Sequence, residues 1–210
     1  GTMSVTDCFK PVSRYFDRIT RAEHLLTALP RAMQVMTDPA NCGPVTLAFC
    51  QDVQAEAFDY PQSFFEPKAW RIRRPEPDPR EVDDVVAALK ASTNPVIIAG
   101  GGVLYSSAED DLLAFAKKHN IPVVETQAGK GAMDWQETLN FGSPGVTGTD
   151  CGNQITARAD LVLGVGTRFQ DFTTGSWAIF GNPTRKLVSV NLTGYDAAKH
   201  GAIPLVCDAK

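Results

Sequence analysis

The run Pro95-Val96-Ile97-Ile98-Ala99, followed at once by Gly100-Gly101-Gly102, most constrains what this chain can fold into. An uncharged run of this kind offers no face to water, so the strand it forms must be covered on both sides. The same grammar recurs. Ile121-Pro122-Val123-Val124-Glu125, Asp160 to Val165, Lys186 to Leu192 and Ile203 to Cys207 are further strand-sized apolar runs, and helix-like segments separate most of them. Parallel strands need crossover connections, usually helical. The pattern therefore predicts an α/β fold: a doubly wound, Rossmann-like parallel sheet with helices on both faces, spanning 80–210.

The helices can be read from their ends. Asp78-Pro79-Arg80-Glu81 offers a capping acid, a proline at the first helical position and a glutamate three residues after the cap. Val82, Val85, Val86 and Leu89 follow as one apolar face. A second helix is expected from about Ser106, with Ser106 and Glu109 as a capping box, Leu112, Leu113, Phe115 and Ala116 as its stripe, and a stop at His119-Asn120. A glycine-rich loop over 142–149 leads into a short helix near 152–158, and another is expected around 195–199.

Ahead of this region the pattern is poorer. Residues 4–65 hold a helix and two strands, one of them Val45-Thr46-Leu47-Ala48-Phe49. The helix carries Leu25, Leu29, Ala32, Met33 and Met36 on one face, and Pro30 predicts a kink or break in it. So few elements make a poor independent domain, and 1–65 reads as the remnant of a sheet whose earlier strands are missing. Gly1-Thr2-Met3 resembles a tag scar. Residues 66–79 carry Pro67, Pro75, Pro77 and Pro79 among charges and read as a linker.

Charge and cysteine usage narrow the function classes. The formal net charge is −4, and the one tight basic group, Arg71, Arg73 and Arg74, has no interleaved aromatics. A nucleic-acid surface would be more basic, so none is expected. No apolar run is long enough to span a bilayer. The five cysteines form no CxxC pair, which argues against zinc and suits reduced thiols in a cytoplasm.

Two loops could bind a ligand. Gly100, Gly101 and Gly102 lie after a strand and before a helix, where a phosphate could sit, and Glu125 ends the next strand where a ribose-binding acid could. Tyr105 stands at the third glycine position of GxGxxG, so the glycines could equally serve only to turn the chain. Gly166-Thr167-Arg168-Phe169-Gln170-Asp171 also follows a strand. Arg168 could hold a phosphate or carboxylate with Asp171 orienting it, or the two could pair and brace the loop. His24, His119 and His200 are isolated and read as structural, and Cys50 reads as a bystander.

Two stretches resemble a known family. Cys42-Gly43-Pro44-Val45-Thr46-Leu47-Ala48-Phe49-Cys50-Gln51-Asp52-Val53 is similar to the end of the pyrimidine-binding domain of thiamine-diphosphate enzymes, with Cys50 where the family usually has proline. The blocks beginning Asn94-Pro95-Val96, Ile121-Pro122-Val123, Phe141-Gly142-Ser143, Ala159-Asp160-Leu161 and Leu187-Val188-Ser189 resemble, in order, the central domain of the acetolactate-synthase group. The runs Phe9 to Ile19 and Gln51 to Pro61 are most similar to its branch that hydrolyses cyclic 1,2-diones in inositol breakdown. The resemblance implies a homo-oligomeric parent enzyme in which thiamine diphosphate acts as electron sink for C–C cleavage and water completes ring opening. It also implies that Mg²⁺ and the diphosphate are held by a Gly-Asp-Gly…Asn-Asn segment, which these 210 residues lack. The piece is thus expected to be catalytically incomplete, without catalytic or metal-ligating residues and dependent on the rest of the parent chain. In flavin-binding relatives the matching glycine and Gly-x-Arg-Phe loops contact FAD. This carries a cofactor-contacting role to Gly100, Gly101, Gly102, Gly166, Arg168 and Asp171, as a vestigial groove in the hydrolase branch. An acetolactate-synthase-like carboligase parent and an independent dinucleotide-binding module are the alternative readings.

Overall fold

The computed structural model describes residues 4–210, and the expected tag at Gly1-Thr2-Met3 lies outside them. The chain divides into two compact units between Arg73 and Arg74.

In the first unit β1 (Tyr15–Ile19) and β2 (Val45–Phe49) pair in parallel, with Tyr15 opposite Val45 and Ile19 opposite Phe49. The crossover is α1 (Leu25–Thr37). Asp38 opens the turn after it, its Oδ1 accepting the Ala40 and Asn41 amides at 2.9 and 2.7 Å. The helix differs from expectation twice. It runs unbroken through Pro30, and its buried positions are Ala28 and Ala32, while Leu29 and Met36 are exposed. Small residues let α1 approach the two strands closely, and the larger ones flank that contact. Tyr60 closes the unit, its hydroxyl donating to the Ala22 carbonyl at 2.7 Å and its ring stacked on Phe64.

The second unit is a five-stranded parallel sheet in the order β4-β3-β5-β6-β7. Its strands are β3 (Pro95–Ala99), β4 (Val123–Glu125), β5 (Leu161–Val165), β6 (Lys186–Asn191) and β7 (Ile203–Val206). The alternation of side chains along β3 explains why both faces are apolar. Ile97 and Ala99 join α2 (Pro79–Ala91), α3 (Gly101–Ser106) and α4 (Glu109–His119) through Val85, Val103, Leu112 and Ala116. Val96 and Ile98 join Phe169, Phe180 and Ile155 of α5 (Asp150–Arg158) on the other face. Each fully buried Val, Ile or Leu contributes about 1.5–3 kcal/mol, so this double burial dominates the stability of the unit. The doubly wound expectation is met.

Local expectations fare unevenly. Asp78 caps α2, accepting the Arg80 amide at 2.8 Å. Glu81 does not complete a capping box; its Oε2 accepts the Val206 amide at 2.7 Å and so ties α2 to β7. Ala88 is buried where Val86 was expected, and Val86 is exposed. The helix expected from Ser106 is two helices, because α3 already begins at Gly101 and Ser107 turns left-handed at φ 52°. Ser106 is therefore buried in the last turn of α3 and caps nothing. Arg74, expected in a solvated linker, pairs with the buried Asp208 at 3.0 Å. At the lower edge of the sheet, Asp160 accepts from Thr93 N and Thr93 Oγ1, each at 2.8 Å, from Asn94 N at 3.1 Å and from the Ser92 hydroxyl.

Candidate functional site at the carboxyl edge of the sheet

The strand order reverses between β3 and β5, so the crevice in which α/β sheets usually take ligands would open where Ala99 and Val165 end. Gly100, Gly101, Gly102 and Gly166 meet there, and they fill the crevice with backbone. Gly100 N donates to Val165 O at 2.8 Å, and Gly102 N donates to Gly166 O at 3.0 Å. A Cβ on Gly100 would lie 2.3 Å from Gly166 O, and one on Gly102 would lie 2.5 Å from Gly166 Cα. Gly166 has φ +61°, a conformation that glycine adopts without penalty. Side chains are absent here because two loops touch.

The same stitching continues across the edge. Thr126 N donates to Ala99 O at 2.9 Å and Gly166 N to Val190 O at 2.9 Å. Asn191 Nδ2 donates to Thr167 O at 3.1 Å. Gly129 lies against the end of β3, its absent Cβ 2.3 Å from Ala99 O. Gly129, Thr126 and Asn191 carry no signal in the sequence that would have found them, since their partners are distant backbone atoms. Asn153 pins the glycine-rich loop, accepting from Gly145 N at 2.7 Å and donating to Gly145 O at 3.1 Å.

Glu125 is not placed as a ribose-binding acid. Its carboxylate is 1 % exposed and accepts from Gly131 N at 3.0 Å, Met133 N at 2.9 Å and Asn140 Nδ2 at 3.3 Å, with Lys130 Nζ at 3.5 Å. It organises the loop that leaves β4. Arg168 and Asp171 do not pair. Asp171 opens α6 (Asp171–Thr174) and accepts the Ser176 hydroxyl at 2.8 Å. Arg168 is exposed, with no hydrogen-bond or ion-pair partner among the described residues. Between them Phe169, at φ 48°, is buried with its ring over Gly164, where a Cβ would fall 2.4 Å from the ring.

Chemically, the edge offers little to a small molecule. The second and third amides of α3 are committed, Gly102 N to Gly166 O and Val103 N to Gly100 O at 3.1 Å. Arg168 is left as a cation without a partner among the described residues. Among the described residues no three His, Cys, Asp or Glu side chains gather as a metal site, and no helix is long and apolar enough to cross a membrane. All five cysteines are unpaired. Burial, with the charges of Asp208 and Glu81, pushes the Cys207 thiol up to about 11.

Comparison with known proteins agrees with this architecture. The chain is 46 % identical over 209 residues to a 3D-(3,5/4)-trihydroxycyclohexane-1,2-dione hydrolase of Clostridium tetani, 45 % over 209 to one of Geobacillus thermodenitrificans and 44 % over 210 to one of Bacillus subtilis. Each match covers 100 % of this chain but only 32–33 % of the relative, so the chain spans about a third of the length of these curated relatives. A solved structure from Mycobacterium smegmatis, described as a proposed thiamin diphosphate-dependent enzyme, superposes with a TM-score of 0.73 at 23 % identity, over 98 % of this chain and 39 % of that one. The family model described as "Thiamine pyrophosphate enzyme, central domain" matches residues 82–210, more than half of the chain, and the chain therefore belongs to that family.

Proposed function

We propose that these residues are the central third of a thiamine-diphosphate-dependent hydrolase that opens a cyclic 1,2-dione, the trihydroxycyclohexanedione for which its relatives are named. One observation carries the reading: 44–46 % identity, over the whole chain, to proteins of that name. The role of this part is structural. It spaces the segments that hold the coenzyme, and 4–65 forms the end of the pyrimidine-binding domain, 66–79 the linker and 80–210 the central domain.

Thiamine diphosphate would supply the electron sink for C–C cleavage. The residues present do not fit its diphosphate–Mg²⁺ end, because no carboxylate cluster gathers among the described residues and no Gly-Asp-Gly occurs in the sequence. Those groups belong to the remainder of the parent, a homo-oligomer in our reading. Residence in a reducing cytoplasm accords with five unpaired thiols. A flavin fits poorly as well. The loop contact between Gly102 and Gly166 and the engagement of Glu125 support a groove that has lost its dinucleotide.

The test is turnover by the full-length parent supplied with thiamine diphosphate and Mg²⁺. Ring opening of the dione to an acyclic acid is expected. Condensation of pyruvate to acetolactate without dione opening would instead establish the carboligase alternative. Residues 1–210 alone should show no calorimetric binding of thiamine diphosphate.

A further inference from the structure

We infer that the carboxyl edge of the five-stranded sheet is a protein-docking face, covered in the intact enzyme by the remainder of the same polypeptide. The inference rests on the reading of the chain as the middle of a longer one. Six large hydrophobic side chains of the second unit are exposed: Val86, Tyr105, Trp135, Val146, Phe172 and Tyr195. Five of them sit on segments that leave the carboxyl ends of strands. Tyr105 is 83 % exposed, and its ring folds back to 3.3 Å from where a Cβ on Gly101 would lie. Phe172 and Val146 are neighbours, Val146 N donating to Phe172 O at 2.9 Å. Tyr195, 80 % exposed, lies on α7 (Gly194–Ala197) just beyond β6. Trp135 lies on the long loop that leaves β4, and only Val86, on α2, lies elsewhere.

The composition and the relief of this edge decide what fits it. Tyrosine, phenylalanine and an arginine without a partner are the side chains enriched at the centres of protein interfaces. A small planar ligand would need a concavity, but the crevice between β3 and β5 is closed by the glycine contacts, and Tyr105, Phe172 and Tyr195 are exposed. The covering chain is at hand, because about two thirds of each relative's length lies outside the match. A partner supplied in the same polypeptide also explains how so much aromatic surface on one edge could remain soluble.

Hydroxyl-radical footprinting of the 210-residue chain and of the full-length parent tests this. Oxidation of Tyr105, Phe172 and Tyr195 should fall by about five-fold or more in the parent, as expected for side chains desolvated at an interface centre. Val86 should label equally in both. Equal labelling of the three aromatics would overturn the inference. So would protection already present in the short chain that grows with its concentration, which marks a second copy, or protection that appears only on adding FAD or NAD. Because labelling is read without turnover, an inactive parent that protects these rings would sink the hydrolase reading and leave the docking face standing.

Discussion

The amide of Gly102 donates to the carbonyl of Gly166 at 3.0 Å, joining the first turn of α3 to the residue that leaves β5. This one bond locks the two loops flanking the reversal of strand order. A signature that suggests phosphate binding is thereby made into a packing contact.

Gly102→Ala should therefore destabilise, although alanine ordinarily favours a helix by about 1 kcal/mol. The added methyl would meet Gly166 Cα at 2.5 Å, and overpacking against backbone costs about 1–3 kcal/mol. Gly201→Ala is the control, with φ +69° but nothing within 4 Å. It should cost only the left-handed penalty of about 1 kcal/mol. Thermal unfolding of both variants checks the order, and a Gly102→Ala chain as stable as wild type would show that the contact is loose.

Asp160 should shape the acid limb of stability. Burial would raise its carboxyl, but donors from Ser92, Thr93 and Asn94 outweigh burial and hold it well below the usual carboxylate range. A depressed folded value means that the stabilisation is complete above the ordinary carboxyl value of about 4 and fades as pH falls below it. Asp160→Asn should cost about 1–2 kcal/mol at pH 7, discounted for partial exposure, and should flatten the loss below pH 4. Urea unfolding at pH 7 and pH 3 gives both values.

Cys207 should be the last thiol to react. With its value pushed up to about 11, its thiolate fraction at pH 8 is about a hundred-fold below that of an ordinary cysteine, before burial slows reagent access. A disulfide reagent should label the exposed Cys8, Cys42 and Cys151 promptly and Cys207 only after denaturation. Prompt labelling of Cys207 in the native chain would contradict its placement.

Glu125→Ala should loosen the loop after β4 without unfolding the sheet. Gly131 N and Met133 N would lose their acceptor, and the buried Met133 N left bare costs about 1–3 kcal/mol, whereas the exposed Gly131 can turn to water. Hydrogen exchange at these two amides should accelerate, while Ile97 and Val162 stay protected. Unchanged exchange at Gly131 and Met133 would argue that Glu125 does not hold the loop.

Period and punctuation made most of the second unit legible. Strands apolar on both faces could only belong to a sheet covered on both sides, and the cap formed by Asp78 and Pro79 declared itself in sequence. These signals are local, read within a few residues of chain. What the tertiary structure alone decided is non-local: that Glu81 turns to Val206, that Arg74 reaches Asp208 and that Gly102 rests on Gly166 rather than on a phosphate. A hydrogen bond is spent once, and its partner is fixed by which loops the strand order brings together. A glycine or carboxylate motif therefore states a capacity that only the folded neighbours assign.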